Sequence, residues 1–148
     1  MKPPDDPVPS GDRTMARQLI KALQIAGHEV DLVSRLKCRL RTSDMIGGVA
    51  ADAGREVDRI AARWQTEGAP DLVMTYHVYY KSPDFIGSEL ARRFDIPFVT
   101  VEASHAGKRD RDEWAAAQAI SSAAIRQADL NICFTDRDAE GVAKLVKP

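Results

Sequence analysis

PDLVMTYHVYYKSPDFIGSELARRFDIPFVTVE, residues 70–102, holds a strand, a helix and a second strand in succession, and its reading decides the fold. Pro70-Asp71 opens the first strand, 72–76. Ser82-Pro83-Asp84 predicts a helix start, with Ser82 as cap and Pro83 at the first helical position, where its missing N–H costs nothing. That helix is expected to bury Phe85, Ile86, Leu90 and Phe94 before the second strand at 98–101.

The same alternation extends outward in both directions. Upstream, Met15, Ala16, Leu19, Ile20, Leu23 and Ala26 recur at helical spacing over 13–26, with Ser10 or Asp12 as cap and Gly27 as stop. Glu29-Val30-Asp31-Leu32-Val33 then alternates and is rich in β-branched residues, which predicts a strand. Residues 34–48 lack periodicity and predict a long loop, followed by a helix carrying Val49, Ala53, Val57, Ile60, Ala61 and Trp64 and ending near Gly68. Downstream come a polar loop at 103–112 and a helix with Trp114, Ala117, Ser121, Ala124, Ile125 and Ala128 on one side. A strand at 130–134 follows, then a last helix opened by Thr135 as cap with Asp138 three residues on, ending at 146. Strands alternating with helices imply an α/β fold: a doubly wound, Rossmann-like parallel sheet with helices on both faces. Leu19, Leu23, Val30, Leu32, Val73, Val99, Ile125 and Ile132 are its expected core, with Trp64 and Trp114 packing helices onto the sheet. Such a sheet normally begins with a strand, but residues 2–12 hold too many prolines to form one, so the expectation is a domain that lacks its first strand.

Composition narrows the function classes. The 148 residues suffice for one domain, not for two with a cleft between them. With 21 basic and 22 acidic residues the net charge is −1, which supplies no bulk attraction to nucleic acid. Cys38 and Cys133 stand far apart, without CxxC spacing or a histidine cluster, so neither a zinc site nor a disulfide framework is indicated. No apolar run reaches the roughly 20 residues of a membrane span, and the opening residues are no signal peptide, so the expected location is cytoplasmic.

Several pieces in order carry a family resemblance: Pro9-Ser10-Gly11-Asp12-Arg13, Ala26-Gly27-His28-Glu29-Val30, Pro70-Asp71-Leu72-Val73 leading to His77, Ile96-Pro97-Phe98-Val99 with Glu102 after it, and Ala128-Asp129-Leu130 ending in Thr135. In this arrangement the chain resembles the N-terminal, acceptor-side domain of GT-B glycosyltransferases of the retaining, group 1 type. The resemblance implies transfer of a sugar from a nucleotide-sugar donor to a polysaccharide or glycolipid acceptor. It implies that the nucleotide is held by a C-terminal domain, that the chain is cut short at both ends, and that alone it does not transfer sugar. No metal and no other cofactor is implied.

The candidate residues cluster at predicted strand ends, the edge where open α/β sheets place ligands. By resemblance, His77 contacts the transferred sugar or the acceptor, a role that a neutral imidazole fills as positioner. Glu102 stands at the end of the next strand, where a carboxylate is costly unless paired or used, and is the second catalytic candidate. Tyr79, Tyr80 and Lys81 are candidates for an acceptor pocket, since sugar faces stack on aromatic rings. Tyr76 is either part of that pocket or core. Lys108 and Arg109 either hold a phosphate or belong to a solvated charge run with 110–113. Ser10, Gly11 and Asp12 precede a helix N-terminus, which suits either the donor's diphosphate or a plain cap. His77, Glu102 and Gly11 are expected at one rim of the sheet. Arg35, Lys37, Arg39 and Arg41 form either a basic patch for peripheral membrane contact, as the resemblance implies, or a flexible basic loop. Two other function classes remain open: a non-catalytic binding or accessory module, and a flavodoxin-like receiver, for which an acidic cluster after a first strand has no counterpart here.

Overall fold

The structure, a computed structural model, describes residues 3–146. The chain divides into two compact units, Met1–Lys37 and Cys38–Pro148.

The N-terminal unit is organised by α1 (Gly11–Ile25). The Ser10 hydroxyl accepts the Arg13 N–H at 3.2 Å, and Asp12 places a carboxylate in the first turn, where the helix dipole favours it. Gly27 ends the helix as expected. It adopts φ +91°, which lets the His28 N–H reach the Leu23 carbonyl (3.0 Å) while its own N–H reaches Gln24 (3.1 Å). This pair of bonds satisfies two carbonyls the last turn would otherwise leave open. The predicted strand at 29–33 does not form; the segment belongs to no sheet. Alternating residues supply only the two faces of a strand, whereas the backbone needs a neighbouring strand to pair with, and none is formed among the described residues of this unit. Leu19, Leu23, Val30 and Leu32 are accordingly half-buried and not core. Ion pairs tie the unit's ends instead: Arg35 to Asp5 at 2.5 Å and Lys37 to Asp6 at 2.8 Å.

The larger unit contains α2 (Ile46–Glu67), β1 (Val73–Tyr76), α3 (Gly87–Phe94), β2 (Phe98–Val101), α4 (Ala115–Gln127), β3 (Leu130–Ile132) and α5 (Asp136–Ala143), with 3-10 turns at Ser43–Met45 and Gly107–Asp110. The strands pair in parallel in the order β1-β2-β3, with Tyr76 opposite Val101 and Val101 opposite Ile132. This is an α/β fold with a three-stranded parallel sheet.

α2 starts three residues earlier than its apolar pattern, and Ala53, Val57, Ile60, Ala61 and Trp64 are all buried, as their spacing predicts. Trp64 meets Phe94 of α3 edge to face, ring centroids 5.3 Å apart. The start of α3 is a correction. Ser82 does not cap it, because its backbone is engaged with Tyr79 in an antiparallel bridge. The Asp84 carboxylate takes over, accepting the N–H groups of Gly87 (2.9 Å) and Ser88 (2.6 Å), so the helix opens at Gly87. A full negative charge on free N–H groups is a stronger cap than a hydroxyl. Gly87 also sets the approach of α3 to the sheet: a Cβ there would collide with Thr75 Oγ1 and lie 3.1 Å from the Phe98 ring.

β2 is the spine, with all four residues buried. Behind it Thr100 donates to Asn131 Oδ1 (2.5 Å), and Asn131 donates to the Ile125 carbonyl of α4 (3.1 Å). Val73, Val99, Ile125, Trp64 and Trp114 are buried as expected. Ile132 is not, at 36% exposed beside Leu130 at 53%, because β3 is the edge strand and ends at Ile132 without reaching 134. Thr135 caps α5 through the Asp138 N–H at 3.1 Å.

Candidate functional site

The parallel register brings the two catalytic candidates side by side. Tyr76 and Val101 are opposite one another, so the next residues, His77 and Glu102, leave adjacent strands at the same level. Each keeps one ladder bond: the His77 N–H donates to the Val101 carbonyl and the Glu102 N–H to Ile132, both at 2.7 Å. Each then turns sharply, at φ +63° and +56°. These are left-handed conformations that side chains with a Cβ occupy at a cost of about 1–2 kcal/mol. Two such residues at equivalent positions end both strands together and direct their side chains toward one another. His77 Nδ1 lies 3.6 Å from Glu102 Oε2, with the side chains 23% and 32% exposed. Both side chains are partly exposed. At 3.6 Å the two groups face one another without a hydrogen bond between them.

An aromatic series leads away from this pair. The His77 ring is 5.6 Å from Tyr76 and 4.7 Å from Tyr79; Tyr79 is 5.5 Å from Tyr80, and Tyr80 is 5.2 Å from Trp114. Tyr76 is half-buried and touches His77, so it belongs with the rim. The tight turn from Tyr79 to Ser82 presents Tyr80 and Lys81, and the Ser104 N–H bonds the Val78 carbonyl (2.9 Å), which locks the loops after β1 and β2 to each other. Arg109, 28 residues along the chain from Lys81, lies over the Tyr80 ring at 4.7 Å and pairs with Asp112 at 2.7 Å. Burial alone would push the Asp112 carboxyl up, but hydrogen bonds from Arg109 and the Trp114 N–H outweigh it and hold the group below its usual range. Lys108 is exposed on the turn beside it.

Ser10, Gly11 and Asp12 lie in the N-terminal unit at the start of α1, where Ser10 performs the plain capping role. Of the basic series, Arg35 and Lys37 are engaged by Asp5 and Asp6.

A further polar cluster surrounds His105 in the loop after β2. His105, its side chain 8% exposed, has Nδ1 2.6 Å from the Gln118 amide nitrogen and Nε2 3.7 Å from Asp110. Gln118 also donates to the Ala106 carbonyl (3.2 Å), and Ser122 Oγ is 3.3 Å from the same ring nitrogen. The cluster clips the loop after β2 to α4. α5 presses on it so closely that a Cβ on Gly141 would be 2.6 Å from the His105 carbonyl. Its α4 partners, Gln118 and Ser122, share a helical stripe with Ser121 and Ile125. Burial pushes the Cys38 thiol up to about 11, which makes it a weak nucleophile. Among the described residues no group of three or more His, Cys, Asp or Glu side chains is placed to hold a metal ion, and no helix is long and apolar enough to cross a membrane.

Compared with protein-family models, curated proteins and solved structures, the chain matches none.

Proposed function

We propose that the chain is the acceptor-side domain of a GT-B glycosyltransferase, moving a sugar from a nucleotide-sugar donor to a polysaccharide or glycolipid acceptor. The observation that supports it best is the His77–Glu102 pair, set by two left-handed turns at the carboxyl ends of neighbouring parallel strands. Ligands of open α/β sheets bind at that edge, and strained non-glycine residues concentrate at functional sites. In a retaining transfer the departing nucleotide and the incoming hydroxyl meet on one face of the sugar. The demand on this domain is then to position hydroxyls and exclude wrong geometries. His77 is assigned the hydrogen bond to the transferred sugar, with Glu102 orienting its ring and accepting from an acceptor hydroxyl. The nucleotide is assigned to a separate donor-binding domain.

The test is an assay of transfer and donor hydrolysis with a panel of nucleotide sugars, using the chain together with a donor-binding domain encoded in or beside the same reading frame. His77→Ala is expected to lower kcat/KM about 100-fold, the usual scale for lost positioning, and Glu102→Gln about 10-fold. Absence of turnover with every donor, or full activity of His77→Ala, would reject the reading.

A further inference from the structure

The turn after β1 and the turn after β2 meet at a place that neither loop defines alone. Lys81 extends its ammonium over two rings, 5.8 Å from the Tyr80 centroid and 5.2 Å from Trp114, and among the described residues it is paired with no carboxylate. Arg109 lies over Tyr80 on an Asp112 tether. The two cations thus differ in kind. Arg109 already has an anion and holds its ring in place, whereas Lys81 is parked on aromatic rings. A cation resting on rings near a surface is held weakly, and charge-assisted hydrogen bonds to a phosphate oxygen are stronger. An incoming phosphate therefore draws Lys81 off the rings without breaking any other ion pair.

We propose that this ledge binds a phosphorylated sugar, with Lys81 on the phosphate and the sugar laid along Tyr79 and Tyr80 toward His77. Aromatic edges and faces suit the C–H surface of a pyranose, and the ring series from Trp114 to His77 gives the sugar a direction that ends at the strand-end pair. The choice of a sugar rests on the transfer reading, which it deepens by making the acceptor anionic. The local charge argues for a single phosphate and not a polyanion, since Asp112 cancels Arg109 and Asp110 lies nearby against His105.

The experiment is a nuclear magnetic resonance titration of the full 148-residue chain with glucose 6-phosphate, glucose and inorganic phosphate as separate probes. Glucose 6-phosphate is expected to shift the amides of 79–82 and 108–112 and the Trp114 indole, and to bind at least tenfold more tightly than either other probe. Lys81→Gln should lose at least tenfold. Lys81→Arg should stay within threefold, which separates loss of charge from loss of fold. Equal binding by Lys81→Gln and the parent chain, inorganic phosphate as tight as the sugar phosphate, or no shift with any probe would overturn the proposal. Binding is read without a donor, so binding without transfer in the assay above sinks the transfer reading alone, and transfer without binding sinks this one alone.

Discussion

His77 and Glu102 hold a conformation that a glycine would take without strain, yet both positions carry large polar side chains. Part of the folding free energy is therefore used to hold these two turns, and that cost can be measured. Glycine and alanine at position 102 both remove the carboxylate, but only alanine keeps the Cβ that makes φ +56° unfavourable. Glu102→Gly is expected to be more stable than Glu102→Ala by about 1 kcal/mol in urea denaturation, even though glycine loses more entropy on folding. Equal stability of the two would mean that the turn is not strained. The candidate residues themselves were legible, because a histidine and a glutamate each directly follow a β-branched, apolar strand signal. Their left-handed turns were not legible, since backbone φ at a polar residue depends on where the ladder stops. Lys81 and Arg109 were noticed separately in two loops; that they share one tyrosine ring depends on packing that no local pattern encodes.

Among the elements, α3 shows how competing signals are resolved. Ser82-Pro83 is a good helix start by composition, but the bridge from Tyr79 holds Ser82 and the Asp84 carboxylate outcompetes its hydroxyl, moving the first turn to Gly87. Because that turn lies against the sheet, Gly87→Ala is expected to cost about 1–3 kcal/mol, the range for overpacking a core, and Thr75→Ala in the same chain should recover part of it by removing the colliding hydroxyl. Denaturant unfolding of the single and double variants tests this; full additivity would show that the contact is not the cause. Glu89, in the first turn of the same helix, accepts from Arg92 and Arg93, and these bonds hold its carboxyl down to about 2. A carboxyl lowered on folding adds stability above its unfolded value near 4.5 and loses it as pH falls toward about 2. The group is a third exposed, so solvent screening limits the gain to about 1 kcal/mol or less. Glu89→Gln should therefore destabilise at pH 7 and match the parent chain near pH 2. A deficit unchanged between the two pH values would assign it to something other than charge. The apolar spacing of α2 and α4 and the Thr135 cap of α5 place these helices, although α5 ends at Ala143, short of the expected 146; alternation at 29–33 reports two faces but not a partner strand.

On the scale of the whole molecule, order is graded outward from β2. It is the only described strand with neighbours on both sides, and its four side chains are buried, while β1 and β3 each spend one edge on it and leave the other outside the sheet. In parallel pairing the N–H groups of a strand point alternately to either side, so a central strand has all of its amides in ladders and an edge strand about half. Opening the amides of Val99–Val101 requires loss of the sheet, which makes their exchange report global unfolding, while the Phe98 N–H is held by the Asp129 carboxylate at 2.8 Å. The amides of 29–33 belong to no described strand. Hydrogen exchange followed by mass spectrometry or nuclear magnetic resonance is therefore expected to rank β2 as the most protected segment, with β3 intermediate. Residues 29–33 should exchange at least about 100-fold faster than β2, the ratio for a difference of about 2.7 kcal/mol between local and global opening. Protection of 29–33 equal to that of β2 would restore it as a fourth strand and reject the three-stranded sheet described here.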